Sequence, residues 1–344
     1  MRFKVILLTC LLVFILILSS SLGVVTIEAK QVVAILLDFF KIHTGITYSD
    51  VHEAVLLHIR LPRVLLSMLI GAVLSLCGLS LQSVFRNPLA DPNLIGIGSG
   101  ASFAVVIFIV FGNFLFPNLI QSLGPWSLSI AAFLGALAAM ILVYKMGSKG
   151  NKTDVAVMLL AGIAINALGG ALTGLVTLSA SDDQLRSFTF WTLGSLAAAN
   201  WTQVLTFFPI AFLCFFALPR FARGLNALAL GEADAQSMGF KTQQMKTQIM
   251  LISALGVGAA VSLSGIIGFV GLVVPHIFRL WQGPDNTKLM PLSILGGAFM
   301  LSAADLVSRS IAPPVELPVS VVTSILGAPF FMYLIIKEKK KGNV

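Results

Sequence analysis

The chain has 344 residues, of which 57% are hydrophobic and only 10% charged, and its mean hydropathy is +0.97. An ordinary soluble domain carries about 25% charged residues, so this composition excludes a soluble globular protein and predicts an all-α, polytopic membrane protein. The net charge of +8 does not indicate a nucleic-acid partner, because the basic residues follow the membrane topology derived below.

The first apolar segment has two interpretations. Arg2 and Lys4 precede a long apolar run, which is also how a secretory signal peptide begins. The run is longer than a usual signal core, and the Ser-Ser-Ser-Leu-Gly that follows offers no clean Ala-x-Ala site, so a retained helix is favoured. The next segment, 28–58, contains three of the four histidines. Haem or metal ligation is conceivable there, and exposed loop histidines are favoured.

Residues 60–100 predict a crossing, a tight turn and a second crossing. Val64 to Val84 holds 21 residues without a charge, which covers a hydrocarbon core of roughly 30 Å. Pro88 and Pro92 bracket a polar turn that a helix cannot run through. The chain therefore crosses the membrane, turns and crosses back.

Similar apolar runs continue along the chain and give ten predicted spans. They are 5–25, 64–84, 93–114, 127–144, 155–178, 202–218, 247–264, 266–281, 289–308 and 319–336. The span 155–178 is rich in small residues, which suit close helix contact or the wall of a transport path. The candidate path residues are Gly162, Asn166, Gly170 and Gly174. Between two spans, Ser181 to Leu196 is too short to cross and is predicted to be a surface amphipathic piece.

The basic residues predict the orientation. An even number of spans leaves both termini on one side. With the termini in the cytoplasm, 16 of the 22 Lys and Arg residues are cytoplasmic, as the positive-inside rule requires. The longest charged loop then faces the cytoplasm, and 227–239 within it has good helix propensity with Gly239 as a stop.

An internal repeat relates two distant helices. Gly71-Ala-Val-Leu-Ser-Leu-Cys-Gly78 recurs as Gly258-Ala-Ala-Val-Ser-Leu-Ser-Gly265. Five spans separate the two copies, and an odd offset inverts the direction of the chain, so the pattern predicts inverted-topology repeats. Chance matching of small residues in apolar helices is the alternative.

No chemistry-bearing motif indicates an enzyme. The chain has no G-x-x-x-x-G-K-[ST] loop to bind nucleotide phosphates, no paired carboxylates and no His-rich metal motif. The spans are nearly free of ionisable groups, apart from Asp305 beside Arg309 near an outer helix end. A carrier driven by an ion gradient usually needs such groups near mid-membrane, so the energy for transport is expected from a separate ATPase.

Four separated motifs resemble a known family. They are Arg60-Leu-Pro-Arg63, Asn87-Pro-Leu-Ala, Gly271-Leu-Val-Val-Pro-His276 and Glu316-Leu-Pro-Val with Leu326-Gly-Ala-Pro329. In this order and spacing they resemble the FecCD/BtuC-type permeases of bacterial ABC importers for iron-siderophore, haem and vitamin B12. The resemblance implies the type II importer permease fold over 1–344, with a first repeat at 60–200, cytoplasmic coupling helices at 226–240 and a second repeat at 241–338.

The resemblance also implies roles for individual residues. Arg60, Arg63 and Arg309 look like the arginines that dock a periplasmic binding protein, with membrane anchoring as the alternative. Asn87 and Leu89 match the cytoplasmic gate, although Arg86 stands where the family's vitamin B12 permease has an acidic residue. The coupling residues facing the ATPase would be Leu230, Gly231, Glu232, Ala233, Asp234, Ala235, Met238 and Gly239.

The sequence therefore predicts a bacterial inner-membrane permease that works as a homodimer with two ATPase subunits and a binding protein. No covalent cofactor and no resident metal are expected, and ATP is used by the partner. The segments 183–196, 280–285 and 312–318 look most like haem permeases, so haem is the favoured cargo. A ferric siderophore or cobalamin is the alternative, and a gradient-driven carrier or a membrane assembly protein that moves nothing belongs to other classes.

Overall fold

The structure, a computed structural model, describes residues 1–23, 25–39, 41–149, 152–312 and 315–340. Its helices are α1 (Arg2–Ser21), α2 (Ala29–Phe39), α3 (Asp50–Ala54), α4 (Leu61–Phe85), α5 (Ile97–Leu115), α6 (Pro117–Leu123), α7 (Trp126–Gly147), α8 (Val155–Thr177), α9 (Asp182–Thr192), α10 (Trp201–Ala217), α11 (Ala222–Leu230), α12 (Glu232–Ser237), α13 (Thr242–Ser264), α14 (Val270–Gln282), α15 (Asn286–Ser310) and α16 (Val319–Lys340). A π-helical turn covers Val55–Arg60, 3-10 turns cover Pro92–Ile95 and Leu218–Phe221, and β1 (Ser148–Lys149) pairs with β2 (Lys152–Thr153). The predicted all-α membrane class is confirmed.

Among the described residues, eight helical segments are long and apolar enough to cross a membrane, by length and composition. They are Arg2–Ser21, Asp50–Phe85, Ile97–Leu115, Trp126–Gly147, Val155–Thr177, Trp201–Leu230, Thr242–Ser264 and Asn286–Ser310. The other two predicted spans fall on α14, of 13 residues, and on α16, whose apolar part Val319–Tyr333 is short for a crossing. Within the described residues, ten crossings therefore stay a prediction.

Helix α14 begins later than its apolar run predicts. Gly265 ends α13 with φ of +71°, and Phe269 has φ of +67° immediately before α14. Positive φ interrupts a right-handed helix, so the residues between these two positions form a connection instead of a helical turn. Apolarity alone did not reveal this break.

Helix α4 lies at the centre of the bundle. A Cβ atom on Gly71 would lie 2.2 Å from the carbonyl oxygen of Gly297 in α15, and one on Gly78 would lie 2.0 Å from that of Gly271 in α14. Both distances are too short for any side chain, so the helices meet backbone to backbone, as small residues allow in membranes. The first copy of the repeated sequence motif is thus the contact surface of α4.

The second copy of the repeat lies on α13, where Gly258 faces Ala136 and Phe133 of α7 at ordinary contact distance. Helix α4 packs on α15, and α13 packs on α7. If the two halves are related by inversion, these are equivalent helix pairs. The division into repeats at 60–200 and 241–338 stays a prediction.

Both ends of α1 are bound to the rest of the bundle. Near its start, Lys4 Nζ donates to the carbonyl oxygen of Trp281 at 2.9 Å and to Gln282 Oε1 at 2.7 Å. Near its end, carbonyl groups accept hydrogen bonds from Arg60 and Arg309. The start of α1 and the end of α14 therefore lie at the same face, which is the cytoplasmic one in the predicted topology.

The segment 28–58, whose histidines were expected in exposed loops, contains two helices, α2 and α3. Its histidines differ in exposure: His43 and His58 are exposed, and His52 is partly buried in α3. His43 Nδ1 lies 2.9 Å from Asp38. In the part of the chain that the structure describes, no group of three or more His, Cys, Asp or Glu side chains could hold a metal ion.

Candidate functional site

A pocket of about 500 Å³ lies between α5, α8 and α9. Helix α8 contributes Asn166, Gly170 and Thr173, and Asn166 Nδ2 donates to the carbonyl oxygen of Asn93 at 3.2 Å. The whole lining is Asn93, Gly98, Ser99, Ser102, Asn166, Gly170, Thr173, Phe188, Thr192 and Ile266. The wall thus combines hydroxyl and amide groups with apolar surface and carries no charged side chain.

Two of the four predicted path residues, Asn166 and Gly170, line this pocket. Gly174 does not line it, but a Cβ atom on Gly170 or Gly174 would meet nothing within 4 Å. Gly162 is buried. Open space, not helix contact, therefore surrounds two of the glycines whose role the sequence left undecided.

The predicted gate residues lie in the turn after α4. Arg86 ends that helix with φ of +49°, a left-handed conformation. Asn87 Oδ1 then accepts the Leu89 N–H at 2.9 Å, and the Asn87 carbonyl accepts the Ala90 N–H at 3.1 Å. This local hydrogen bonding fixes the turn while the Leu89 side chain stays 44% exposed.

The segment 227–239, in which helix propensity predicts one helix, contains parts of two helices. Gly231, with φ of +154°, separates α11 from α12, and a Cβ atom there would lie 2.7 Å from Asp234 Oδ2. The predicted coupling residues fall into two groups. Leu230, Ala233, Asp234, Met238 and Gly239 are exposed, whereas Gly231 and Glu232 are half-buried and Ala235 is buried. The five exposed residues are therefore accessible to a partner protein.

Glu232 connects α12 to α13. Its carboxylate lies 2.7 Å from Lys246 Nζ and also accepts hydrogen bonds from Gln243 at 2.7 Å and Thr242 at 3.3 Å. The Lys246 side chain is only 4% exposed. Partial burial opposes ionisation of Glu232, but the hydrogen bond and charge of Lys246 outweigh it and lower the pKa of the carboxyl. This ion pair therefore joins α12 to α13.

Asn226 connects α11 to the start of α15. Its side-chain oxygen accepts the Asn286 N–H at 2.8 Å, and its amide donates to Asp285 Oδ1 at 2.8 Å. Hydrogen bonds from Thr287 and Asn226 lower the pKa of Asp285 to about 2. Asn286 Oδ1 in turn accepts from Ser83 Oγ at 2.9 Å. A short polar chain thus joins α11 to the end of α4, three residues before Arg86.

On the opposite face, Arg63 forms an internal ion-pair network. Its guanidinium donates to Asp305 at 2.9–3.1 Å and to both oxygens of Glu316 at 2.9 Å. Asp305 is 1% exposed and Arg63 is 8% exposed. Hydrogen bonds from Arg63 lower the pKa of Glu316. The network joins α4, α15 and the segment before α16.

Arg60 and Arg309 bind the end of α1. Arg60 donates to the carbonyl oxygens of Ser20, Ser21 and Val25, and Arg309 donates to Ser19 and Leu22. Arg309 Nε also lies 3.8 Å from Asp305 Oδ2. All three arginines predicted to dock a binding protein therefore have intramolecular partners, and their docking role stays a prediction.

Sequence comparison identifies the family. The model of the FecCD transport family matches residues 11–337. The chain belongs to the FecCD transport family. It is 42% identical over 296 residues to the hemin transport system permease protein HmuU of Yersinia pestis, covering 86% of this chain and 87% of HmuU. It is 34% identical over 336 residues to the molybdate import system permease protein MolB of Haemophilus influenzae, covering 97% and 96%.

Another relative and a solved structure extend the comparison. The cobalamin import system permease protein BtuC of Halobacterium salinarum is 39% identical over 277 residues, covering 80% of this chain and 72% of BtuC. The chain also matches a solved ABC transporter of the metal-chelate type in an inward-facing conformation. That match has a TM-score of 0.83 and 31% identity and covers 98% of this chain and all of the other. As a FecCD permease, the chain is a multi-pass membrane subunit of an ABC importer, and a partner subunit hydrolyses ATP.

Several residues of this FecCD permease escaped the sequence analysis. Ser99, Ser102 and Thr173 line the pocket, and Asn226 and Asn286 connect α11 to α15. Their only sequence signal is a polar residue inside or beside an apolar run. Such a signal does not distinguish a path wall or a helix connection from ordinary helix capping.

Proposed function

We propose that this FecCD permease carries haem across the bacterial inner membrane. Its identity of 42% with a hemin transport permease over most of both chains supports this cargo. The pocket beside α8 also suits a large and mainly apolar chelate, because its walls are apolar with scattered hydroxyl and amide groups. A small oxyanion such as molybdate would instead be expected to meet cationic donors there.

The proposed transporter contains two copies of this chain with the transport path between them. The exposed face of α8 supports this arrangement. Leu160, Ile163, Leu168 and Leu175 on that helix are 59–66% exposed, and the pocket opens beside the same helix. A second copy across this face would complete the wall of the path.

Cysteine cross-linking tests the dimer. Leu168→Cys is expected to form a disulfide-linked dimer in membranes, because the residue would face its own copy. Phe212→Cys on α10 is the matched control, since Phe212 is 50% exposed and lies on a different helix. Oxidised membranes are compared by gel electrophoresis in a background lacking Cys10, which is exposed. Equal cross-linking at both positions would show that α8 does not lie at the dimer interface.

The coupling region supports binding of two ATPase subunits at the cytoplasmic face. The exposed residues of α11 and α12 are available to a partner. Their half-buried neighbours Asn226 and Glu232 are connected to α4, α13 and α15. Closure of an ATPase dimer against this surface would therefore move several transmembrane helices together. A periplasmic binding protein would deliver cargo at the opposite face, which carries Arg60, Arg63 and Arg309.

Uptake into proteoliposomes tests the function. The permease and its co-purified ATPase are reconstituted with internal ATP and offered binding protein loaded with haem, a ferric hydroxamate or cobalamin. We expect ATP-dependent accumulation of haem alone. Accumulation of another cargo would keep the importer and overturn haem. Failure with all three, combined with uptake under an imposed ion gradient, would overturn the ATP-driven mechanism.

A further inference from the structure

A small pocket lies where the cytoplasmic ends of α10 and α13 meet. It has a volume of about 180 Å³ and lies between the turn Leu218–Phe221, α11 and the start of α13. The apolar part of its lining consists of Phe221, Phe240 and Met245. The polar part consists of Arg220, Lys241, Gln244 and Gln248. We call these seven residues the interfacial pocket. It combines a cationic rim with apolar walls.

The exposed surfaces of the two helices locate this pocket at a membrane interface. On α10, Phe208, Phe212 and Phe216 are 50–55% exposed, and the exposed residue that follows them is Arg220. On α13, Leu251 is 45% exposed, and towards the start of that helix its exposed face continues through Gln248 and Gln244. Both surfaces therefore change from apolar to polar at the same level, where lipid chains give way to headgroups.

Three cations at this level have no protein partner in the part of the chain that the structure describes. Within the described residues, Arg220, Arg223 and Lys241 have no carboxylate within 4 Å and donate no side-chain hydrogen bond. By contrast, Lys246 pairs with Glu232 and Lys288 pairs with Asp285. A second cavity of about 430 Å³ lies on the other side of Arg220 and also contains Arg223. Positive charge is thus concentrated around Arg220 without internal neutralisation.

We propose that the interfacial pocket binds the phosphate headgroup of an anionic phospholipid from the cytoplasmic leaflet. Arg220 and Lys241 would contact the phosphate, because a guanidinium and an ammonium form charge-assisted hydrogen bonds with its oxygens. Gln244 and Gln248 would bind the glycerol region, and the acyl chains would follow the exposed aromatic face of α10. Basic pockets between transmembrane helices on this side suit such lipids.

The bound lipid would support the coupling region. The turn that carries Arg220 leads directly into α11, and Gly224 of α11 lies against Met245 and Phe240. A lipid in the interfacial pocket would therefore hold α11 against α13 from the membrane side. This inference depends on the membrane orientation of the chain and not on its cargo.

Lipid binding by the full-length permease tests the proposal. Native mass spectrometry counts phosphatidylglycerol and phosphatidylcholine molecules of identical acyl chains that stay bound. The test variant is Arg220→Gln/Lys241→Gln, with Arg220→Gln alone as a second variant. Arg2→Gln/Lys145→Gln is the matched control, since it removes two exposed charges from other cytoplasmic positions. Glycerol phosphate and inorganic phosphate are offered separately, to distinguish a lipid from a free anion.

We expect the wild-type chain and the control to prefer phosphatidylglycerol, and the test variant to bind it about tenfold more weakly. Equal binding by the test variant and the control would overturn the proposal. If free phosphate binds as strongly as the lipid, the pocket is a site for a soluble anion, and the proposal is overturned. Unchanged lipid binding with loss of ATPase capture by the test variant would assign these cations to the ATPase instead.

Discussion

Replacing Arg63 by methionine is expected to lower the free energy of unfolding by about 3–5 kcal/mol, because it leaves a buried carboxylate without its main partner. Asp305 is 1% exposed, and Arg63 supplies its three shortest contacts. Arg309, at 3.8 Å, is too far away to replace these hydrogen bonds. Unfolding in mixed micelles of increasing denaturing detergent measures the change.

Two variants control for this interpretation. Arg63→Met/Asp305→Leu removes both charges and is expected to recover most of the lost stability, since no carboxylate stays buried alone. Lys30→Met breaks an ion pair of 2.7 Å whose side chains are each 65% exposed, so its effect is expected to stay below about 1 kcal/mol. An Arg63→Met variant as stable as Lys30→Met would show that the network of Arg63, Asp305 and Glu316 does not stabilise the folded chain.

The same double variant separates stability from docking. Reversing the charge of Arg63 would disturb its internal network, so weaker capture of a binding protein would have two explanations. A folded Arg63→Met/Asp305→Leu chain lacks the guanidinium and leaves no fully buried carboxylate, since Glu316 is 38% exposed, and Arg309 keeps its hydrogen bonds to Ser19 and Leu22. Capture by this variant therefore reports on docking itself.

The apolar runs predicted where the helices lie, because uninterrupted apolar length directly reflects the thickness of a membrane. The apolar runs did not predict where a helix is interrupted by a residue with a positive φ. The apolar sequence before α14 gave no sign that Phe269 would adopt a positive φ. Gly231 stands inside a segment of good helix propensity, and its position alone did not show that α11 ends there. A glycine permits such a break without requiring it.

The sequence predicted which segments contribute to the candidate site, but not which residues contact one another there. The family resemblance drew attention to Arg63, but its partners Asp305 and Glu316 lie 242 and 253 residues away. Asn226 and Asn286 are separated by 60 residues. Pairings over such distances depend on how the helices pack, which composition and spacing do not encode. The segment 312–318 includes Pro313 and Pro314, which lie outside the described residues.

Replacing Glu232 by alanine is expected to reduce transport per ATP hydrolysed by about tenfold in the assembled transporter. The change removes the ion pair to Lys246 and the contacts to Gln243 and Thr242. A hydrogen bond to a charged group contributes about 1.5–3 kcal/mol, so α12 would no longer move rigidly with α13. ATP hydrolysis and uptake are measured on the same proteoliposomes.

A partner variant distinguishes lost coupling from lost assembly. Glu232→Gln/Lys246→Met keeps a neutral hydrogen-bonding side chain on α12 and removes the buried ammonium, so it is expected to recover part of the coupling. If ATPase capture falls in Glu232→Ala to the same extent as uptake, Glu232 acts in binding the ATPase. If capture and hydrolysis persist while uptake falls, the connection from α12 to α13 transmits the movement, because only the intramolecular contact has then been lost.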